Sequence, residues 1–214
     1  MPTFQTPAPI AVTVEVLSAD VFVHATDRTE TVVDIQPADA SKKGDIRAAE
    51  QTWVDFTDGV LTVTTPKDWR THTPFGGNPT IAVTIQVPSG SRLKSSAGVG
   101  RIEATGELGR SDLEIAAGDI SIERAGDSVT ARVAKGDIRI GEAIRGELRL
   151  ETSMGELEIG ISHGSAVRLE LNAVQGSVHN QMGPADRPQS DEDTVRVYAR
   201  NSYGNIAIRH ATAA

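Results

Sequence analysis

The sequence contains no cysteine, few aromatic residues and no long apolar run. Among its 214 residues Cys is absent, and Phe, Trp and Tyr together make up 4%. The absence of cysteine excludes a disulfide framework, a thiolate zinc site and a cysteine nucleophile. With so few rings available, the core must consist of Val, Ile, Leu and Ala, which suits a thin, regularly layered interior. Because about 18 consecutive apolar residues are needed to span a bilayer and no such run occurs, we expect no membrane insertion.

The sequence also lacks a basic charge balance and the short motifs of common enzymes. Its formal net charge of −8 argues against a nucleic-acid partner, because phosphate contacts need a basic face. No G-x-S-x-G, HExxH or GK[ST] motif is present, so no nucleophile, metal or nucleotide site is indicated. We therefore predict no catalytic residue, no cofactor and no enzymatic activity.

The first ten residues, MPTFQTPAPI, lack the charged start and apolar core that characterise a secretory signal. We therefore expect a cytoplasmic protein. If a signal has been removed, the cell surface is the alternative address.

A short pattern that begins with glycine recurs through the second half of the chain. It reads GRIEA, GDISI, GDIRI, GELEI, GSVHN and GNIAI, with spacings of 18, 18, 19, 21 and 28 residues. Self-similarity of this kind is the signature of a repeat architecture. We interpret the glycines as structural residues at corners, where a positive φ or a close backbone approach is needed. They are Gly100, Gly118, Gly136, Gly155, Gly176 and Gly204.

Each period has room for two short strands, one before the repeat glycine and one after it. Apolar and polar residues alternate in both, so each strand has one buried face and one solvent face. Strands this short cannot bury their apolar faces alone, whereas stacked coils can. The sequence therefore predicts an all-β fold, a parallel β-helix (β-solenoid) with coils of about 18–20 residues. Stacked in chain order, the inward column would be Ile102, Ile120, Ile138, Leu157, Val178 and Ile206.

We predict a single β-solenoid domain over residues 1–214. It would comprise N-terminal strands and a cap (10–90), regular coils (91–180), a loop excursion (181–193) and a final coil (194–210). Residues 53–66 fit a hairpin, because Asp58-Gly59 separates two alternating runs. A helical turn can form between Asp39 and Glu50.

Charged residues occupy the outward columns. Three acids, Asp119, Asp137 and Glu156, follow repeat glycines on consecutive coils. This acidic column is either a solvated stripe balanced by Arg101 and Arg139 or a site for a divalent cation or a cationic partner; we predict no other metal site. Four places before the glycine stand Glu114, Arg132, Glu151, Asn172 and Arg200, whose opposite charges would stabilise the stack by a few tenths of a kcal/mol, roughly, per pair.

One loop, residues 67–79, concentrates Trp69, Arg70, His72 and Phe75 in a chain otherwise poor in aromatics. Exposed aromatic residues and arginine are typical of interface hot spots, so these four residues form a candidate partner-binding surface. The alternative is that Trp69 and Phe75 cap the N-terminal end, because solenoids need capping to prevent end-to-end growth.

The repeated unit resembles a bacterial β-strand-repeat family of the β-solenoid type, catalogued as a "putative adhesin" domain of unknown function. The likeness runs from about Ile10 to Arg209. It is carried by VEVLSADVFV, IAVTIQVPSGSRL, AAGDISI, AKGDIRI, TSMGELEI and NSYGNIAIR. The resemblance implies an adhesin-like protein, often exported or membrane-tethered, and it transfers no catalytic residue.

We therefore expect a non-enzymatic scaffold that presents a surface to an unknown protein partner. A carbohydrate-binding or carbohydrate-active β-helix protein is one alternative, because Asp119 and Asp137 could be spaced like a glycosidase pair. Self-association through exposed end strands is another.

Overall fold

The alternating segments of the sequence form one continuous, mixed β-sheet. The computed structural model describes residues 1–66, 79–183 and 193–211. Within these ranges there are sixteen strands of a single sheet and one helix, α1 (Lys43–Gln51). The strands are β1 (Thr3–Gln5), β2 (Ala11–Thr26), β3 (Glu30–Pro37), β4 (Trp53–Thr57), β5 (Val60–Thr64), β6 (Ile81–Pro88), β7 (Arg92–Leu108), β8 (Ser111–Ala125), β9 (Val129–Lys135), β10 (Ile138–Ala143), β11 (Gly146–Met154), β12 (Leu157–Ile161), β13 (Ala166–Gln175), β14 (Val178–Asn180), β15 (Thr194–Tyr203) and β16 (Ile206–His210).

The strands from β7 onward pair in parallel with their equivalents in neighbouring coils. Ile120 lies opposite Ile102 on one side and opposite Ile138 on the other. The repeat glycine divides each coil into two segments. The segments before it form the front face, which holds β9, β11, β15, β13 and the first halves of β2, β7 and β8. The segments after it form the rear face, which holds β10, β12, β16, β14 and the second halves of those three strands.

The N-terminal part adds antiparallel strands, so the sheet is not parallel throughout. On the rear face β6 is parallel to β2, but β3 is antiparallel to β6 and β1 is antiparallel to β3. On the front face β5 is parallel to β2 and β4 is antiparallel to β5. The predicted all-β class is confirmed, and the sheet is mixed because these N-terminal strands include antiparallel pairs.

The two outermost N-terminal strands meet through aromatic rings. Phe4 of β1 and Phe56 of β4 have ring centroids 5.1 Å apart, so the front and rear faces join at this end. The hairpin predicted at Asp58-Gly59 is confirmed by the β4–β5 pairing. Its two turn residues have φ of 52° and 75°, as a tight two-residue hairpin turn requires.

The helical turn expected between Asp39 and Glu50 is present as α1. Asp45 lies in its first turn and is 5% exposed. Its carboxylate accepts the N–H of Asp39 at 3.2 Å and the N–H of Thr80 at 3.1 Å, which ties the helix to the approach of β6. Hydrogen bonds from the Ser41 hydroxyl and N–H hold the pKa of Asp39 below its usual value.

The last two coils do not stack in the order of the chain. β15 and β16 pair with β11 and β12 on one side and with β13 and β14 on the other. The coil of residues 194–210 is therefore internal, and the coil of residues 166–180 forms the end of the stack. The expected column order, with Val178 before Ile206, is wrong. Ile206 is fully buried, while Val178 is 44% exposed.

Two connections produce the inverted order. Between β12 and β13 the chain passes over one coil position through residues 162–165, a step of two strand spacings or about 10 Å. Between β14 and β15 it comes back by one position through residues 181–193, which also account for the long 28-residue spacing from Gly176 to Gly204. The interior between the faces consists of Val, Ile, Leu and Ala at alternating positions, as the composition predicts.

Candidate functional site

The repeat glycines form a vertical ladder at the corner between the two faces. Gly118 has φ of 132°, and a Cβ on it would lie 1.6 Å from the carbonyl oxygen of Gly100. No side chain fits there, which accounts for glycine at this corner in the six coils that follow Ala19 of β2. The glycines follow one another in the spatial order of the coils, so Gly204 lies between Gly155 and Gly176. A Cβ on Gly204 would lie 1.9 Å from the Gly155 oxygen, and one on Gly176 would lie 1.9 Å from the Gly204 oxygen.

The acidic column lies beside this glycine ladder and is bonded to the backbone. Oδ1 of Asp119 accepts the N–H of Asp137 at 2.8 Å, and Oδ1 of Asp137 accepts the N–H of Glu156 at 2.8 Å. Oε1 of Glu156 then accepts Nδ2–H of Asn205 at 3.0 Å, and Oδ1 of Asn205 accepts the N–H of Ser177 at 2.9 Å. Each side chain therefore contacts the next coil, in spatial order.

These hydrogen bonds use carboxylate oxygens that a cation would need. Nη2 of Arg139 lies 3.4 Å from Oδ2 of Asp137, and its Nε lies 3.6 Å from Oε1 of Glu158. In the part of the chain that the structure describes, no three His, Cys, Asp or Glu side chains are grouped so that they could hold a metal ion. The choice between an arginine-balanced stripe and a cation site stays a prediction.

The front face carries an outward column of alternating charge. Arg132 lies opposite Glu114 and Glu151, and Arg200 lies between Glu151 and Asn172. In chain order Asn172 would separate Glu151 from Arg200. The inverted stacking of the last coils instead places Arg200 directly beside Glu151, so the alternation continues.

A tyrosine on this face is not among the residues that the sequence pattern predicts to be functional. Tyr198 of β15 lies opposite Arg149 of β11, and the guanidinium carbon of Arg149 is 5.0 Å from the ring centroid. A depression of about 410 Å³ lies alongside. We call this surface the Tyr198 patch; it consists of Arg132, Arg149, Glu151, Tyr198 and Arg200. The only signal in the sequence is the alternation in VRVYARN, which directs Tyr198 outward.

The predicted partner-binding residues Trp69, Arg70, His72 and Phe75 lie outside the described residues, so that loop stays a prediction. The helix that the structure describes is too short to cross a bilayer.

Comparisons with known proteins give the fold and the family. The structure resembles a "putative cell adhesion protein" from Clostridium sporogenes over 98% of both chains, with 13% identity and a TM-score of 0.52. A "putative adhesin" from Bacteroides fragilis matches 97% of this chain and 95% of its own, with 13% identity and a TM-score of 0.45. At such identity the first likeness shows the fold alone. A comparison with curated proteins gives no match.

The family resemblance noted in the sequence is confirmed. The sequence profile described as Toastrack DUF4097 matches residues 91–212, the part that contains all six repeat glycines. This match covers more than half of the chain. The protein therefore belongs to the Toastrack DUF4097 family.

Proposed function

We propose that this chain is a non-enzymatic interaction protein, a β-solenoid of 18–20-residue coils whose front face binds a protein partner. The observation that carries this proposal is the Tyr198 patch, where Tyr198 and Arg149 pack against each other at 5.0 Å. Tyrosine and arginine are the residue types enriched at interface hot spots. Both stand on paired strands rather than on loops, so little conformational entropy is lost when a partner binds.

The placement of the carboxylates supports a role without catalysis. A glycosidase needs one carboxyl group free to protonate the substrate and another free to act as base or nucleophile. Oδ1 of Asp119 and Oδ1 of Asp137 instead accept backbone N–H groups of the following coil. The name "putative cell adhesion protein" of the Clostridium sporogenes neighbour agrees with a binding role.

A second contact surface in this proposal is the loop that carries Trp69, Arg70, His72 and Phe75. A carbohydrate ligand and self-association remain the alternatives to a protein partner. A cytoplasmic address is the prediction from sequence, and the cell surface is its alternative.

The test is affinity capture from an extract of the native organism, comparing the wild type with Tyr198→Ala. We expect Tyr198→Ala to lose a specific protein that the wild type retains. Tyr203→Ala is the matched control, because Tyr203 is the other tyrosine of the chain, is 51% exposed and lies outside the patch.

Capture that is unchanged by Tyr198→Ala would contradict a front-face site. Its loss in a Trp69→Ala, Phe75→Ala variant would assign binding to the loop instead. Binding to a glycan array with no captured protein would favour the carbohydrate alternative.

A further inference from the structure

The two ends of the coil stack are built differently. The N-terminal end finishes in antiparallel strands of three residues (β1) and five residues (β4), joined by the Phe4–Phe56 contact. At the other end β13 runs for ten residues and, within the described ranges, has β15 as its only strand neighbour. In the described part of the chain, one side of β13 is therefore an open edge.

The apolar residues of β13 are less covered than their equivalents one coil further in. Val167 and Leu169 are only partly buried, although they pack against the core. Their register partners on β15, Val195 and Val197, are 0% and 1% exposed. The end coil thus leaves apolar surface open that every internal coil covers.

The hydrogen-bonding groups of β13 that point away from β15 belong to these same apolar residues. Ala166 donates its N–H to the carbonyl oxygen of Asp193 at 2.8 Å. In a parallel ladder alternate residues bond to the same neighbour. Residues Val167, Leu169 and Leu171 therefore direct N–H and C=O toward the open edge, which makes β13 a template for another strand.

Two opposite charges flank the centre of this edge. Arg168 and Glu170 point outward on either side of Leu169. Neither forms an ion pair with another described residue. Arg168 lies opposite Arg196 in the sheet, and Glu170 lies opposite Tyr198. Among the described residues, therefore, nothing competes with an ion pair across the open edge.

We propose that two copies of this chain form a dimer in which their β13 strands pair antiparallel about a two-fold axis at Leu169. In this register Leu169 lies opposite Leu169 of the second copy. Val167 lies opposite Leu171 of the second copy, and vice versa, so residues that direct N–H and C=O to the open edge face one another. Arg168 lies opposite Glu170 of the second copy, and this ion pair forms twice.

The charges of Arg168 and Glu170 favour this register over the registers that are shifted by one residue. Shifting the axis by one residue toward the N-terminus puts Arg168 opposite Arg168 of the second copy. A shift by one residue the other way puts Glu170 opposite Glu170. Like charges directly opposite each other destabilise a strand pair. Only the register centred on Leu169 combines two ion pairs with matched apolar residues.

Strand length favours this dimer over a head-to-tail filament. The outermost N-terminal strands, with three and five residues, cannot pair with the ten residues of β13 along its length. In the register centred on Leu169 a second β13 pairs with residues 166–172, seven of its ten residues. The pairing occupies the open edge of both chains, so the assembly stops at two chains.

The test is sedimentation equilibrium of the purified chain over a wide concentration range. We expect a monomer–dimer equilibrium with no larger species. Arg168→Glu and Glu170→Arg each place like charges opposite one another twice, so each should raise the dimer Kd about tenfold or more. The combined Arg168→Glu, Glu170→Arg variant restores opposite pairs and should return Kd to near the wild-type value.

Two matched controls carry the same changes of charge at the far end of the molecule. Lys43→Glu and Glu50→Arg lie on exposed positions of α1 and should leave Kd unchanged. If a charge reversal unfolds the chain by circular dichroism, Arg168→Gln and Glu170→Gln replace it, with a smaller rise in Kd expected.

Three results would overturn the proposal. The first is a monomer at every concentration, and the second is a mass larger than that of the dimer. The third is a dimer whose Kd is unchanged by both single substitutions or does not return to the wild-type value in the combined variant. Because the experiment uses the purified chain alone, its outcome is independent of the partner proposed for the Tyr198 patch.

Discussion

Single residues at the corner of each coil have the least freedom to vary. The corner glycine combines a left-handed φ with contact to the carbonyl of the coil before it, and the side chain of the residue after it bonds to the coil that follows. These two requirements together give the Gly-Asp and Gly-Glu pairs of the sequence a purely structural reason.

The glycine requirement can be tested at Gly118. Gly118→Ala should lower the free energy of unfolding by at least about 3 kcal/mol, because its Cβ would lie 1.6 Å from the Gly100 carbonyl oxygen at a φ of 132°. Gly164→Ala is the control, because a Cβ there has no neighbour within 4 Å, and it should change stability by less than about 0.5 kcal/mol. Urea unfolding measures both. Equal effects would contradict the corner geometry.

The role of the acidic column can be tested at Asp137. Asp137→Ala removes the acceptor for the N–H of Glu156 and should destabilise the fold by about 1–2 kcal/mol. Asp137→Asn keeps an oxygen in that position and relieves repulsion from Asp119 and Glu156, so it should cost less. Thermal unfolding of both variants with and without Ca²⁺ provides the measurement. An Asn variant as unstable as the Ala variant, together with stabilisation of the wild type by Ca²⁺, would point to a bound cation.

The sequence pattern predicted where these corners lie, but it did not predict the hydrogen bonds that their acidic side chains accept. Strict alternation and the recurring glycine identify Ile102, Ile120 and Ile138 as equivalent, and the register confirms it. Asp119 and Asp137 could not be assigned as backbone acceptors in this way. A carboxylate beside a glycine serves equally as a hydrogen-bond acceptor, a metal ligand or a solvated charge, and only coordinates distinguish these roles.

Among the strands and coils, the inverted order of the last two coils has the largest consequence. A repeat shows which strands are equivalent, yet equivalence carries no information on the sequence in which they stack. The 28-residue spacing before Gly204 was the one indication, and it fitted a loop excursion just as well. With β15 and β16 internal, the coil of residues 166–180 depends on them for all its inter-coil strand pairing in the described structure.

Truncation tests that dependence. A variant that ends at residue 193 lacks β15 and β16, so residues 166–180 should lose their protection from amide hydrogen exchange. The internal strands β11 and β12 should lose protection as well, because one edge of each becomes open. A variant that ends at residue 211 keeps both strands and should match the full chain. Protection of 166–180 in the shorter variant would mean that this coil can pair directly with β11 and β12.

At the scale of the whole molecule, amino-acid composition and the repeat predicted the fold class, whereas short motifs predicted no site. Scarce aromatics and abundant Val, Ile and Leu anticipated the layered core, and the repeat anticipated an all-β chain. The sequence did not predict that the antiparallel N-terminal strands close this end of the stack. Phe4 and Phe56 are far apart in the chain, and they meet only because β1 is the outermost strand of the rear face and β4 is the outermost strand of the front face. The sequence does not predict the Tyr198 patch for a similar reason: Arg149 is distant from Tyr198 in the chain and meets it only through the pairing of β11 with β15.

The inverted stacking also bears on how the protein is made. A ribosome produces residues 166–180 before the strand that will hold them exists, so this segment waits unpaired while residues 194–210 are still being translated. Domains ordinarily fold from the N-terminus as synthesis proceeds. Here residues 166–180 can pair with the stack only after residues 194–210 have been made and have paired with β11 and β12. A nascent chain in which residues 194–210 have not yet left the ribosome would therefore expose residues 166–180 to proteases, and the arrival of β15 and β16 is the event that completes the stack.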